Sequence, residues 1–417
     1  LNKAVAAIRR VRSSGLARNT FFYSINFAAQ IGVQLGYFIL ISSSLGPSGY
    51  GVFASVTAVA LFVGVFIGWG SERVLIQRVT VDHAAFPREL GHTLILNGLT
   101  LIPFAAITAG IFTILDTHGL SWTGLSLILL ADLLFRKLNA IALFSFMAFD
   151  RAGQQTVLDI TSQLLRLAAA AFAFLLIPDL TLDVWAIFYV CGSIIAAAFS
   201  WFFVLRELGR PHWCLQRGSL WLGFLYSLEF ASLNGVKDLD KPVVVQSLGP
   251  DAGGIYTAAF RIVDAASAPI RALLYATYTR YFREAASDSK KGIAFGVRML
   301  PFAALFSAGV GVALLIGAPF VPLLIGEDYA PIVPLLRWLA VYPILTALMG
   351  IGADILRAIG RQGLRVLIMA ASTVAIVPFC WLGARYGGMD GAVWSRIAVQ
   401  LLLAAASWFA VRVTGPR

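Results

Sequence analysis

Apolar runs of about twenty residues alternate with short polar stretches rich in arginine along the whole chain, and this alternation predicts a series of helices. Each run is long enough to cross a bilayer core of about 30 Å as an α-helix. Twelve fit, at residues 20–41, 52–71, 93–115, 123–148, 156–178, 184–205, 219–246, 255–278, 299–325, 331–356, 364–384 and 391–411. The predicted fold class is therefore an all-α polytopic membrane protein. Composition agrees: 13% of residues are charged and 59% hydrophobic, whereas soluble domains carry roughly a quarter charged residues.

The polar positions set an orientation. With the N-terminus cytoplasmic, 22 lysines and arginines fall on that side and only Arg385 on the other, a strong positive-inside bias. The expected location is the cytoplasmic membrane, multi-pass, with both termini inside. The outer loops are short and mildly acidic (Asp116, Asp179, Asp183, Asp251, Glu327, Asp328). Orientation accounts for the net charge of +11, so nucleic acid is not an expected partner. Residues 20–41 are longer than a signal-peptide core, so cleavage there is not expected. Residues 3–12 are expected to form a basic amphipathic helix on the inner leaflet, or no structure. Cys191 and Cys380 fall inside spans and Cys214 in an inner loop, which leaves no disulfide framework. His83, His92, His118 and His212 lack metal-ligand spacing, and no phosphate-binding glycine loop or nucleophile elbow appears. Neither a metal, an organic cofactor nor an enzymatic centre is expected.

The sequence also repeats. Leu45-Gly46-Pro47 followed by Gly51-Val52-Phe53 returns as Leu248-Gly249-Pro250 followed by Gly254-Ile255-Tyr256, offset by 203 residues. Ala148 to Gly153 aligns with Ala358 to Gly363 at an offset of 210. Two copies of a six-helix unit running in the same direction predict a pseudo-twofold along the membrane normal. The expected organisation is a basic cytoplasmic segment 1–19, an N-terminal lobe 20–205, a cytoplasmic linker 206–218, a C-terminal lobe 219–411 and a tail 412–417. Within the Leu-Gly-Pro motif, proline ends one helix and glycine tolerates positive φ, so the expected role is to fix how two helices meet.

Several motifs resemble a known family. Asp240-Lys241, Leu248-Gly249-Pro250, Gly254 to Ala259 with Arg261, and Leu324 to Ala330 with Leu336 and Leu339 resemble lipid-linked oligosaccharide flippases of the polysaccharide biosynthesis, O-antigen-type family. That family belongs to the multidrug/oligosaccharidyl-lipid/polysaccharide exporter superfamily. Leu45 to Phe53 and Gly68-Trp69-Gly70-Ser71 are similar to it in the first half. The resemblance implies two six-helix bundles around a cavity lined by helices 1, 2, 7 and 8. It also implies carriage of a polyprenyl-pyrophosphate-linked glycan from the inner to the outer leaflet for surface polysaccharide export. Membrane lipid, and a glycan polymerase or glycosyltransferases, are the partners it suggests.

Nine basic residues (Arg136, Lys137, Arg166, Lys237, Lys241, Arg261, Arg271, Arg337, Arg396) and seven acids (Asp132, Asp159, Glu229, Asp238, Asp240, Asp264, Asp354) lie within or beside the spans. At roughly 2.5 kcal/mol per centrally placed charge, sixteen facing lipid would cost on the order of 40 kcal/mol. They must face each other or water. Arg261, Asp264 and Arg271 share a helix face, and their repeat counterparts Ala58, Leu61 and Gly68 are uncharged, so the common fold does not require them. On helix 7, Lys237 is expected to pair with Asp240 and Lys241 with Asp238, with Glu229 alongside, as a gate. Asp132 and Arg136 are spaced to pair, leaving Lys137 and Arg166 as surplus cations for a pyrophosphate head group, or as members of a structural network. Asn26, Gln30 and Gln34 form a stripe suited either to sugar hydroxyls or to interhelical hydrogen bonds.

These readings converge on alternating access, with prolines 103, 242, 269, 301, 343 and 378 as candidate bends. Cavity candidates are Arg136, Lys137, Arg166, Lys237, Arg261, Arg271, Asn26, Gln30 and Gln34. Candidates for a gate or for coupling to sodium, protons or membrane potential are Asp132, Asp159, Glu229, Asp240, Lys241 and Asp264. Two alternatives stand beside the flippase: a drug/cation antiporter of the same superfamily, which would favour a net acidic cavity, and a glycan polymerase or ligase, for which the outer loops are short.

Overall fold

The computed structural model describes residues 15–414, and among these every regular element is helical. Residues 3–12 and the end of the tail lie outside the described residues. Helix α1 (Gly15–Gly64) is kinked at Gly46, and a 3₁₀ turn (Ile67–Gly70) leads into α2 (Ser71–Val81). Next come α3 (Phe86–Ile114), α4 (Trp122–Leu130), a π-helical turn (Ala131–Phe135), α5 (Arg136–Ala148), α6 (Ala152–Leu176) and α7 (Leu182–Glu207). The remainder comprises α8 (Leu220–Asp238), α9 (Asp240–Leu248), α10 (Pro250–Ala266), α11 (Ala268–Ser287) and α12 (Ser289–Gly317). It closes with α13 (Val321–Ile325), α14 (Ile332–Leu339), α15 (Tyr342–Ala358) and α16 (Gln362–Thr414), the last kinked at Gly388. Local chemistry sets the starts: Ser121 and Thr181 cap α4 and α7 by accepting from the backbone N–H three residues on.

Seven helices among the described residues are long and apolar enough to cross a membrane, and the kinked α1 and α16 are two of them. Their outward faces carry bare Ile102, Leu175, Leu305 and Val374, each more than two-thirds exposed. Such faces suit lipid rather than water. The predicted segments at 123–148, 219–246 and 255–278 are helical too but fall outside the seven; they hold the charges of Asp132 to Lys137, Lys237 to Lys241 and Arg261 to Arg271.

The repeat is written into the backbone. Left-handed residues recur at equivalent places: Gly46 (φ 63°) and Gly249 (φ 91°), then Asp150 (φ 56°) and Gly360 (φ 77°). The helix after each Leu-Gly-Pro motif is also interrupted at the same point. In the first copy regularity stops at Gly64 and resumes at Ser71 through left-handed Gly68, Trp69 and Gly70. In the second, α10 gives way to α11 at Ser267, 203 residues after Gly64. Pro242, Pro269 and Pro343 sit in the opening residues of α9, α11 and α15, where proline costs no helical hydrogen bond, whereas Pro103, Pro301 and Pro378 lie inside helices.

Two compact units emerge. The first takes Val63–Leu228 together with the chain up to Ser44. Its core holds Leu75, Phe86, Leu90, Ile141, Phe146, Leu158 and Val204. The linker is strapped to this unit: His212 N–H donates to the Pro87 carbonyl, and Gln216 N–H donates to Nδ1 of buried His92, whose Nε2 meets Ser219 Oγ at 3.0 Å. The second unit takes Leu45–Phe62 and Glu229–Arg417, with a core including Ile270, Tyr281, Phe295, Ile351 and Ile355. Within it the repeated motifs touch reciprocally. A Cβ on Gly51 would lie 2.2 Å from the Pro250 carbonyl oxygen, and one on Gly254 1.9 Å from that of Pro47. Each contact maps onto the other by the 203-residue offset. In lipid, where apolar burial gives little drive to helix association, such small-residue backbone contacts hold helices together.

Candidate functional site

The second unit concentrates charge at the junction of α8, α9, α10 and α11. Asp264, near the end of α10, accepts from Arg271 of α11 at 2.7 Å and from Lys237 of α8 at 3.3 Å. All three side chains are a third to a half exposed. Beneath them Lys241 is buried against Asp238, and Arg261 hydrogen-bonds Tyr50 close to Asp238 and Asp264. The cluster thus sets Lys237, Lys241, Arg261 and Arg271 against Asp238 and Asp264, a surplus of two positive charges. Deeper in the unit, Asp240 accepts from Tyr256 at 2.7 Å and faces Arg396 at 3.5 Å, while Arg396 donates to Tyr342 Oη at 3.0 Å. Glu229 pairs with Arg365 at 3.3 Å and accepts from Gln362, and Asp354 pairs with Arg357.

In the first unit the π-helical turn carries Asp132, whose buried carboxylate accepts from Arg136 at 2.9 Å and Tyr189 at 2.6 Å. Arg166 lies within electrostatic reach of Arg136, Asp132, Tyr37 and Tyr189, but among the described residues no carboxylate lies within 4.0 Å of it. Among the described residues its buried Nε, the second oxygen of Asp132 and the Tyr37 hydroxyl find no hydrogen-bond partner. Polar capacity is therefore left over around a surplus cation. Nearby, Asn26 and Gln30 of α1 donate to one oxygen of Asp159 at 2.9 and 2.7 Å, and Gln163 donates to the other at 3.0 Å. Asp159 is the one of the seven predicted intramembrane acids without a basic partner among the described residues.

The structure corrects several expected pairings. Lys237 pairs with Asp264, not Asp240, because Asp240 starts a separate helix and turns to Arg396 and Tyr256. Lys137 is not surplus: its ammonium bonds Glu72 at 2.7 Å and reaches the Gly64 carbonyl at 3.4 Å. Glu72 carries no intramembrane signal in the sequence because it follows the interruption at Gly68-Trp69-Gly70, just past the predicted end of the span. On the face shared by Arg261, Asp264 and Arg271, the carboxylate of Asp264 takes Arg271 as its ion-pair partner, across the junction of α10 and α11 at Ser267. Asn26 and Gln30 are occupied by Asp159, so the free amide stripe reduces to exposed Gln34. The Lys241–Asp238 and Arg136–Asp132 pairs form as expected. The tyrosines 50, 189, 256 and 342 that complete these networks gave no sequence signal, because aromatic residues crowd every span. Among the described residues no group of histidine, cysteine or carboxylate side chains could hold a metal ion.

Helices of this kind, with charged clusters at helix interruptions, define a polytopic membrane protein with the fold of known transporters. Over 92% of this chain and 94% of the other, it superposes with TM-score 0.73 and 16% identity on the inward-facing conformation of a multidrug resistance MATE family transporter of the MOP superfamily. The outward-facing conformation of such a transporter aligns over 96% and 95% with TM-score 0.64 and 16% identity. A MOP superfamily transporter from Pyrococcus furiosus, described as having a binding pocket of reverse polarity that suggests a different function, aligns over 96% and 95% with TM-score 0.64 and 16% identity. At these identities the likeness is one of fold. Comparison with curated proteins gives no match. The family model of polysaccharide biosynthesis proteins matches residues 44–334, and the chain belongs to that family.

Proposed function

We propose that this protein is a secondary-type transporter of the MOP superfamily working by alternating access, and that its cargo is a polyprenyl-pyrophosphate-linked oligosaccharide bound for the outer leaflet. The observation that carries the cargo reading is the partly open cluster of Lys237, Arg261, Asp264 and Arg271, where basic side chains outnumber acids. A diphosphate head group supplies the missing negative charge through charge-assisted hydrogen bonds. Membership of the polysaccharide biosynthesis family supports the same reading. Arg136 and Arg166 offer a second cationic contact in the first unit.

In this proposal the helical runs make twelve crossings, six per repeat, with both termini cytoplasmic. The kinks at Gly46 and Gly388 each divide one long helix into two crossings, and three charged runs complete the count. The lobes are residues 20–205 and 219–411, with 206–218 as the cytoplasmic linker. Asp159, held by amides rather than a cation, is the coupling group for a proton or sodium ion. Glycosyltransferases and a glycan polymerase are the partners that would deliver and consume the cargo.

A drug/cation antiporter is the second reading, and the solved structures back it more directly than the flippase, since MATE transporters are among them. Deleting the gene separates the two. A polyprenyl-linked glycan accumulating on the cytoplasmic face supports flipping. Unchanged glycans with altered efflux of cationic dyes would overturn it in favour of drug export.

A further inference from the structure

We propose that Asp264 is an internal stand-in for the cargo's phosphate groups: it occupies Lys237 and Arg271 while the site is empty and yields them when a head group enters. The inference rests on the anionic-cargo reading above and adds how the site is regulated.

The geometry carries it. One carboxylate serves two cations, at 2.7 and 3.3 Å, although a carboxylate's single charge neutralises only one. The three side chains are a third to a half exposed, so a soluble anion can reach them, whereas the neighbouring Lys241–Asp238 pair is sealed. Diphosphate presents more charge and more acceptor oxygens than Asp264, and it matches the fork of Arg271 better. It therefore displaces the carboxylate by competition.

Displacement has a mechanical result. Seven residues of regular helix rise about 10 Å, too far for a short aspartate to meet an arginine comfortably along a straight axis. The bond forms across the junction of α10 and α11 at Ser267, where the N–H groups of Ile270 and Arg271 share the Ser267 carbonyl at 3.1 and 3.2 Å, so that the first turn of α11 is tightened. The Asp264–Arg271 pair thus spans the interruption and braces it. In the first repeat the equivalent interruption is braced differently, by Lys137 joining the Gly64 carbonyl to Glu72, both shielded from solvent. Of these two braces, the one in the second repeat is the one an incoming anion can take apart.

The test measures binding of inorganic pyrophosphate, and separately of farnesyl pyrophosphate, to the purified full-length protein in detergent at low salt. Asp264→Asn removes the competitor and should tighten both ligands about three- to tenfold, the range expected for one or two partly exposed ion pairs released from competition. In the wild type, either ligand should speed backbone amide exchange across residues 264–271, a readout that needs no variant. Wild-type binding with unchanged or weaker binding in Asp264→Asn, or with exchange that does not rise, overturns the role of Asp264 and leaves the cargo reading standing. Tightening for inorganic pyrophosphate alone overturns the assignment to a lipid-linked head group. Absence of binding to either protein overturns the cargo reading and this inference together.

Discussion

Lys137→Ala strips the ammonium from Glu72, a side chain only 12% exposed, and from the Gly64 carbonyl at the end of α1. The 2.7 Å pair is largely shielded from solvent, the Lys137 side chain being 14% exposed. Removing one partner of such a pair costs about 3–5 kcal/mol, because the remaining carboxylate is left without compensation. Loss of a cation at a helix C-terminus adds roughly 0.3–1 kcal/mol. The total is on the order of 4 kcal/mol, a large part of a typical folding free energy. Thermal unfolding in detergent should therefore show a strongly destabilised protein. Glu72→Gln in the same chain should recover most of the loss, since it removes the stranded charge. The double-mutant cycle reads the coupling directly. A Lys137→Ala protein within about 0.5 kcal/mol of wild type that still fails to export glycan would refute the brace and return Lys137 to the cargo site.

Arg166 behaves oppositely: among the described residues it is ion-paired to no carboxylate, so Arg166→Gln should stay within about 1 kcal/mol of wild-type stability while glycan export in complemented deletion cells falls at least about tenfold, equivalent to ~1.4 kcal/mol. Gly51→Ala and Gly254→Ala each drive a methyl group into a carbonyl of the partner motif, so each should cost about 1–3 kcal/mol in detergent melts, and similar losses are expected because the contacts are reciprocal. Asp159→Asn should leave the fold intact, because its oxygen still accepts from Asn26 and Gln30 while the Gln163 amide can turn to accept from the new NH2, but abolish dependence of uptake into vesicles on a sodium or proton gradient; a retained dependence removes Asp159 as the coupling group. Neutralising Lys237 alone leaves Asp264 on Arg271, so Lys237→Gln should cost no more than about 1 kcal/mol of stability, checked by the same melts.

The helices were legible because lipid allows little else: backbone groups must be satisfied within each segment, and the apolar runs mark those segments. The repeat was legible for a related reason, since Gly46 and Gly249 occupy the same left-handed position and cannot drift freely. Local ion pairs such as Asp132–Arg136 and Asp238–Lys241 follow from helical spacing. Pairings that cross between helices did not follow. Lys237 with Asp264, Asp240 with Arg396 and Glu229 with Arg365 depend on helix rotation, which hydropathy leaves undetermined. Interruptions were harder still. Trp69 in the left-handed region has no marker beyond its two flanking glycines, yet it places Glu72 beside Lys137 and so decides that a presumed cargo cation is a brace.

The proposed transporter carries an anionic, lipid-linked glycan on a cationic cluster built at a helix interruption. The most direct measurement is leaflet exchange in proteoliposomes made with the purified protein and a polyprenyl-pyrophosphate-linked oligosaccharide, read by accessibility of the glycan to an added glycosidase. Exchange should be faster than in protein-free vesicles and should be lost in an Arg261→Gln, Arg271→Gln double variant. Exchange at the protein-free rate, alongside active uptake of cationic dyes by the same vesicles, would contradict the proposal.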